Sequence, residues 1–306
     1  MAATAGARKQ EQIKMMQETP ETIKKIILPI FKEFNQETID LIIKTLSLKP
    51  RVEAINLSYN QIDEESLTEL IRLIGELPCL ERLNLSRILT EATVIKLSQI
   101  LSKVPRLTLS GNQLTGSSLE TLLLSATNLT HLNLNNNLIN DDDCRLIANL
   151  LSHGNLKSLS LRRNQFTDQG VNLILEALKW NSSLTHLDLS GNHLTDKTAT
   201  KLADVLERNN TLCKLSLTNN SITDQGLSYI AEALKNNTGL RSLSLLKNDL
   251  TDKSAVLIVQ CLDYNYSLTA CKLKIRQNYL LLTQALNAQA RKDRRNKHLL
   301  LQSKSN

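Results

Sequence analysis

Histidines 131, 186 and 193, the aspartate run 141–143 and five cysteines are the groups of this chain from which chemistry would have to be built. His131 and His186 hold the same place in a repeated pattern, two repeats apart, and His193 follows seven residues after His186. Strands about 4.8 Å apart would root the first two side chains about 10 Å from each other. A catalytic or metal-binding pair needs closer approach and a carboxylate to orient it, so these histidines are expected to meet a partner instead. The aspartate run stands where a helix begins, and carboxylates are favoured there by the helix dipole. Cys79, Cys144, Cys213, Cys261 and Cys271 are scattered without CxxC pairing, the pattern of reduced thiols in a cytosolic chain and not of a zinc site. Phosphate-binding, dinucleotide, metalloprotease, serine-hydrolase and EF-hand motifs are all missing. The expectation is a chain with no catalytic residue, no metal and no cofactor, hence not an enzyme.

What positions these residues is a period. The pattern L-x-x-L-x-L-x-x-N-x-L begins at Val52, Leu80, Val104, Leu129, Leu156, Leu184, Leu212, Leu240 and Leu268, in steps of 28, 24, 25, 27, 28, 28, 28 and 28 residues. A unit of this size cannot bury its own apolar face and has to stack on its neighbours. Alternation such as Leu187, Asp188, Leu189 reads as a short strand, and the next dozen residues, such as "TDKTATKLADVLERN", read as a helix with Asp196 as N-cap. Asn60, Asn112, Asn137, Asn164, Asn192, Asn220 and Asn248 fall where the chain leaves each strand. An amide there has two donors and an acceptor for stranded backbone groups, so these residues are expected to form a ladder, each serving its own turn and bridging toward the next repeat. "TDQG" at 167 and 223 alternates with "TDKT" at 195 and "TDKS" at 251, a double period of 56 residues.

These motifs resemble the leucine-rich repeat proteins of the ribonuclease-inhibitor type, over residues 52 to 277. The resemblance implies an α/β solenoid, a right-handed horseshoe with parallel strands on its concave face and helices on its convex face. Repeat two has Ile88 in the Asn slot, repeat three is shortened by three residues ahead of its strand and has a short helix, "TGSSLETLLLSAT", and repeat nine has Arg276 in the Asn slot. The shortened repeats two and three open the prospect of a notch. The domain reading is a disordered stretch at 1–19, an N-terminal helical cap at 20–51, nine repeats at 52–277, and a C-terminal cap helix with a basic tail at 278–306.

Alternation also names the side chains of the concave wall. Basic residues there are Arg82, Arg87, Arg106, Arg162, Arg163, Lys214, Lys247, Lys272 and Lys274, with Asp188 the single acid. Tyr59, His131, Asn133, Asn135, His186 and His193 complete the partner-binding set. The formal net charge is +7 for 306 residues. From Lys272 onward nine Lys/Arg face one acid, leaving 28 basic and 29 acidic residues before it. Arginine pairs carboxylates bidentately, and a wall on the order of 40 Å long suits an ordinary protein interface. The reading is a monomeric protein-interaction module for an acidic protein surface, possessing no membrane span and acting in cytoplasm. Its leucine, asparagine and lysine texture resembles repeat effectors that intracellular bacterial pathogens deliver into host cells, which implies a virulence role and a host protein as partner. RNA or ribosome binding is the rival class, through the wall and "RKDRRNK" at 291–297, although stacking aromatics are scarce. A GTPase-activating regulator is a further alternative, against which stands the replacement of that family's acidic tail by a basic one. Trp180 and Tyr264, 84 residues apart in one phase, are expected on loops between helix and strand.

Overall fold

The computed structural model describes residues 13–14, 16–17, 23–27, 36–48, 50–273, 284 and 287. Contacts divide the chain into two compact units, Met1–Asn137 with Gly154–Leu156, and Leu138–His153 with Lys157–Asn306. The first holds strands β1 (Lys25–Ile27), β2 (Ala54–Asn56), β3 (Arg82–Asn84), β4 (Arg106–Thr108) and β5 (His131–Asn133), paired in parallel in chain order. Helices α1 (Gln36–Ser47), α2 (Glu64–Ile74), α3 (Glu91–Ser98) and α4 (Gly116–Leu124) lie between them. The second unit begins with α5 (Cys144–His153) and continues β6 (Ser158–Ser160), α6 (Asp168–Trp180), β7 (His186–Asp188), α7 (Asp196–Arg208) and β8 (Lys214–Ser216). It ends α8 (Asp224–Leu234), β9 (Ser242–Ser244), α9 (Lys253–Leu262) and β10 (Ala270–Lys272), again with parallel pairing in order.

Each repeat is built around two leucine rows. In the first unit Leu57, Leu85, Leu109 and Leu134 are fully buried, and in the second Leu161, Leu189, Leu217 and Leu245. Burying one such side chain contributes roughly 1.5–3 kcal/mol, and stacking makes every repeat a lid for the one before. Helix α7 shows the other layer. Ala199, Leu202, Ala203, Val205 and Leu206 are buried, at the spacing that puts them on one face. Asn209, with extended backbone at φ −91°, ψ 111°, ends the helix.

The structure departs from the sequence reading in several places. Lys25–Ile27, expected within a helical cap, is a strand whose Ile26 pairs with Ile55. Ile23 and Ile26 are buried in the first and fourth places of one further repeat, so strand pairing outweighs a short apolar run that fits either period. Ten strands are therefore present among the described residues where nine repeats were expected. Within 1–19, expected to be disordered, residues 13–14 and 16–17 are helical and Met16 is buried, because an apolar side chain finds cover there. The rest of that stretch, Lys274, Arg276 and the C-terminal cap and tail except 284 and 287, lie outside the described residues. The N-caps of α3, α4, α6, α7 and α8 are threonines: Thr195, not Asp196, accepts from the Lys197 N–H. The short steps of repeats two and three fall on their helices, α3 of 8 residues and α4 of 9, against 13 in α6 and α7.

Candidate functional site

The face of each sheet turned away from its helices carries the side chains read from the sequence as partner-binding. In the first unit Arg82 and Arg106 are partners in register on adjacent strands, and Arg106 pairs next with His131. Both arginines are exposed. In the second unit His186 stands beside Lys214, while Arg162, Arg163, Lys214, Lys247 and Lys272 are exposed. The Thr130 hydroxyl lies 2.9 Å from His131 Nδ1 and the Thr185 hydroxyl 2.8 Å from His186 Nδ1. Burial, followed by the charge of Lys214, lowers the His186 pKa below 6.5, so His186 itself adds little positive charge near neutral pH. His193 is exposed on the exit turn, where its backbone N–H donates to the Phe166 carbonyl at 3.3 Å.

Other members of the set are occupied by the fold itself. Asp188 accepts from the Ser190 N–H at 2.9 Å and its hydroxyl at 2.5 Å. Asn133 accepts from the Asn135 N–H at 2.9 Å, as Asn56 and Asn84 do from Ser58 and Ser86 at 3.1 Å each. Short polar side chains readily bond a backbone two residues on. These residues brace the turn by which the chain leaves the sheet, and the acid of the wall is thereby consumed.

Three residues past Asn56, Asn84, Asn133 and Asp188, the backbone turns left-handed. Tyr59, Arg87, Asn136, Arg163, Asn219 and Lys247 have φ between 55° and 63°, and Gly111 and Gly191 occupy the same slot with φ 73° and 69°. Glycine and asparagine suit such a conformation, whereas tyrosine, arginine and lysine hold it at a cost of about 1–3 kcal/mol. The glycines also make room: a Cβ at Gly111 would stand 2.8 Å from Arg87 Cγ, and one at Gly191 3.0 Å from Arg163 Cγ. Each arginine stem lies across the glycine of the following repeat. The Arg87 guanidinium also stacks 5.2 Å from the centre of the Tyr59 ring.

Three polar ladders fix the spacing of the repeats that carry these groups. Asn192 donates to the Leu189 carbonyl at 2.9 Å and the Leu161 carbonyl at 3.2 Å, and its Oδ1 accepts from the Asn164 N–H at 3.0 Å. The side chain thus bridges to the preceding repeat, not the next, because the carbonyls it can reach are those of the strand already laid down. Asn220 and Asn248 repeat this donation in the second unit, and Asn164 donates to the Leu161 carbonyl at 2.9 Å. In the first unit Asn137 donates to Leu109 and Leu134, Asn112 to Leu85, and Asn60 to Leu57. Asn112 Oδ1 accepts from Ile88 and Leu89, covering the repeat whose own slot holds isoleucine.

The sequence reading missed the second ladder. Asn181, Asn209, Asn237 and Asn265 each donate to the last turn of the preceding helix, at Leu151, Leu178, Leu206 and Leu234. Their fixed 28-residue spacing was the available signal. The third ladder joins helix starts. Asp141, Asp168, Asp196 and Asp224 accept from the N–H and hydroxyl of Thr167, Thr195, Thr223 and Thr251. Asp141 lies in the turn before α5, which begins at Cys144, so the aspartate run supplies this clamp. Trp180, the last residue of α6 and not a loop residue, is exposed beneath Arg208 at 5.8 Å, as Tyr264 is beneath Lys235 at 5.5 Å.

The third ladder gives the fold an acid sensitivity. Burial, the largest single influence on Asp168, raises its pKa, but the hydroxyls and N–H groups of Thr195 and Thr198 together hold it below 3.8. Asp224 behaves likewise through Ser254, Thr251 and Lys253. A depressed carboxylate stabilises the fold above its unfolded value and ceases to do so as pH falls through the folded one. Urea midpoints should therefore drop as pH falls from about 5 through the folded values below 3.8, and Asp168→Asn should lose less over that interval than wild type. An identical pH dependence in the variant would show that the clamp carries no linkage. Burial pushes the thiols of Cys144, Cys261 and Cys271 up to about 12, which leaves them protonated and poor nucleophiles. Among the described residues no three His, Cys, Asp or Glu side chains are grouped to hold a metal ion.

Repeating strand–helix units with inward leucines and an asparagine at each strand exit define the class of fold, that of leucine-rich repeats. Residues 125–148, 154–175, 181–203 and 208–231 match the family model described as Leucine Rich repeat. None of the curated proteins compared with the chain matches it. Similar solved structures include the following two. The actin-binding site 2 of leiomodin-1 is 21% identical with a TM-score of 0.47, over 54% of this chain and 97% of that one. The C-terminal domain of tropomodulin from Caenorhabditis elegans is 14% identical with a TM-score of 0.44, over 51% of this chain and 98% of that one. Among the described residues no helix is long and apolar enough to cross a membrane.

Proposed function

We propose that this protein-interaction module binds an acidic protein surface through the open faces of its sheets. The observation that supports the reading most is the pair Arg82 and Arg106, exposed and side by side in register, with no carboxylate bonded to either among the described residues. Like charges directly opposite one another destabilise a sheet, so an anionic partner would relieve a cost that the isolated fold carries. Arg162 and Arg163 add exposed positive charge in the second unit, where Asp188 is engaged by Ser190. Arginine at such a face is well placed to anchor carboxylates through paired N–H bonds.

Reversal of Arg162 and Arg163 to glutamate, and separately of Arg82 and Arg106, should remove proteins that the wild type captures from a lysate. The melting temperature should stay within the small change typical of exposed substitutions. Capture unaltered in both variants would place the contact elsewhere on the molecule. Capture abolished by nuclease would favour nucleic acid, and its steep weakening with salt would accompany that outcome.

A further inference from the structure

Repeats two and three of the first unit enclose a groove of about 830 Å³, the place where the chain departs most from its own regularity. Leu89, Val94 and Leu114 line it together with the polar groups of Gln113, Ser117 and Asn136. Arg87 stands at its edge with Glu91 the one acid among the lining residues. Three features set this groove apart from an incidental gap between repeats. The 8- and 9-residue helices α3 and α4 flank it. Gln113, which lines it, adopts φ 58° two positions past the left-handed slot that the repeats share. The Arg87 guanidinium is held on both sides, by the Tyr59 ring and by Gly111, whose missing side chain admits the arginine stem.

A charged group ordered in advance loses little freedom on pairing, which favours it as an anchor. Strained backbone gathered at one place marks ligand clamps more often than ordinary turns. We propose that this groove takes a linear, carboxylate-bearing segment of a protein partner, with an aspartate or glutamate side chain on Arg87 and the peptide amides meeting the polar groups of Gln113, Ser117 and Asn136. The inference rests on the acidic-partner reading and adds where in the first unit such a partner is gripped. Charge complementarity selects the occupant: the cation held at the groove mouth has no bonded carboxylate among the described residues.

The test is selection of a library of random linear peptides displayed on phage against the full chain. Enriched peptides should share an aspartate or glutamate. They should bind Arg87→Ala and Ser117→Trp more than about tenfold more weakly, the loss expected when an anchoring contact is removed or its site filled. Ser117 is exposed on the groove wall, so tryptophan there blocks the groove without entering the core, and an unchanged melting temperature verifies this. Binding to the Arg162→Glu, Arg163→Glu variant should equal that of wild type. Absence of any enriched peptide, enrichment of peptides lacking acids, or undiminished binding to Ser117→Trp each overturns the groove. Acidic peptides that ignore both groove variants but fail on Arg82→Glu, Arg106→Glu would overturn the groove while leaving the sheet-face reading in place.

Discussion

Replacement of Asn192 by leucine is expected to lower the stability of the second unit by about 2–4 kcal/mol, although leucine is close in size and the site is buried. The reason lies in which groups lose partners. Asn192 Oδ1 is the acceptor for the Asn164 N–H, and its Nδ2 donates to Leu161 and Leu189. Both carbonyls keep another amide, Asn164 on Leu161 and Asn220 on Leu189. The N–H is left facing apolar carbon, and an orphaned buried donor costs about 1–3 kcal/mol. Asn192→Asp keeps the acceptor but turns a carboxylate toward two carbonyls, so it should be no better tolerated than leucine. Asn248→Leu should cost less, because Asn248 is only half-buried and water can replace its amide. Urea unfolding of the three variants checks the order. Repeats unfold with their nearest neighbours as partners, so a reduced slope beside a reduced midpoint would show the stack breaking at this rung. Equal midpoints for Asn192→Leu and wild type would mean the ladder is decoration.

The leucine period and the first asparagine ladder were legible because each puts an unusual residue in a constrained place: apolar side chains at fixed steps, and an amide among them. The direction in which Asn192 reaches was not, since spacing says which residues neighbour one another but not which carbonyl stands within 3 Å. Asn181, Asn209, Asn237 and Asn265 have the same regularity, yet they stand in polar stretches such as "WNSSL" and "RNNTL" where an asparagine attracts no notice. Strand β1 was hidden for a different reason: Lys25–Ile27 lies in a run of apolar residues that fits helix and strand alike, and only pairing with Ile55 decides it. On the candidate face, alternation placed the arginines and histidines outward but could not show that Asp188 and Asn133 are spent on their own turns. Nor does the order of residue types encode φ, so the seating of Arg87 on Gly111 emerged with the backbone.

Alternation of "TDQG" with "TDKT" and "TDKS" acquires a physical meaning from the third ladder, and with it a substitution whose sign runs against helix propensity. Position four of the motif faces the clamping aspartate of the preceding repeat. Thr198 donates its hydroxyl to Asp168 at 2.5 Å, and Ser254 donates to Asp224. Gly170 instead donates its N–H to Asp141 at 3.0 Å. At Gly226 a Cβ would collide with Asp196 Oδ1 and stand 3.0 Å from the Ala199 Cβ. Asp196 cannot withdraw without loosening its bonds to the Thr223 N–H at 2.8 Å and hydroxyl at 2.6 Å. Gly→Ala within an exposed helix ordinarily stabilises by up to about 1 kcal/mol. Gly226→Ala should destabilise by about 1–3 kcal/mol, the usual cost of overpacking. Asp196→Ala alone should also destabilise, by removal of the clamp from Thr223. In the double variant the collision disappears with the carboxylate, so the combined loss should fall short of the sum by about 1 kcal/mol or more. Simple additivity would locate the penalty at Gly226 in the helix backbone and not in the clamp. A stabilised Gly226→Ala would show that neighbouring repeats have more freedom to part than the ladders allow.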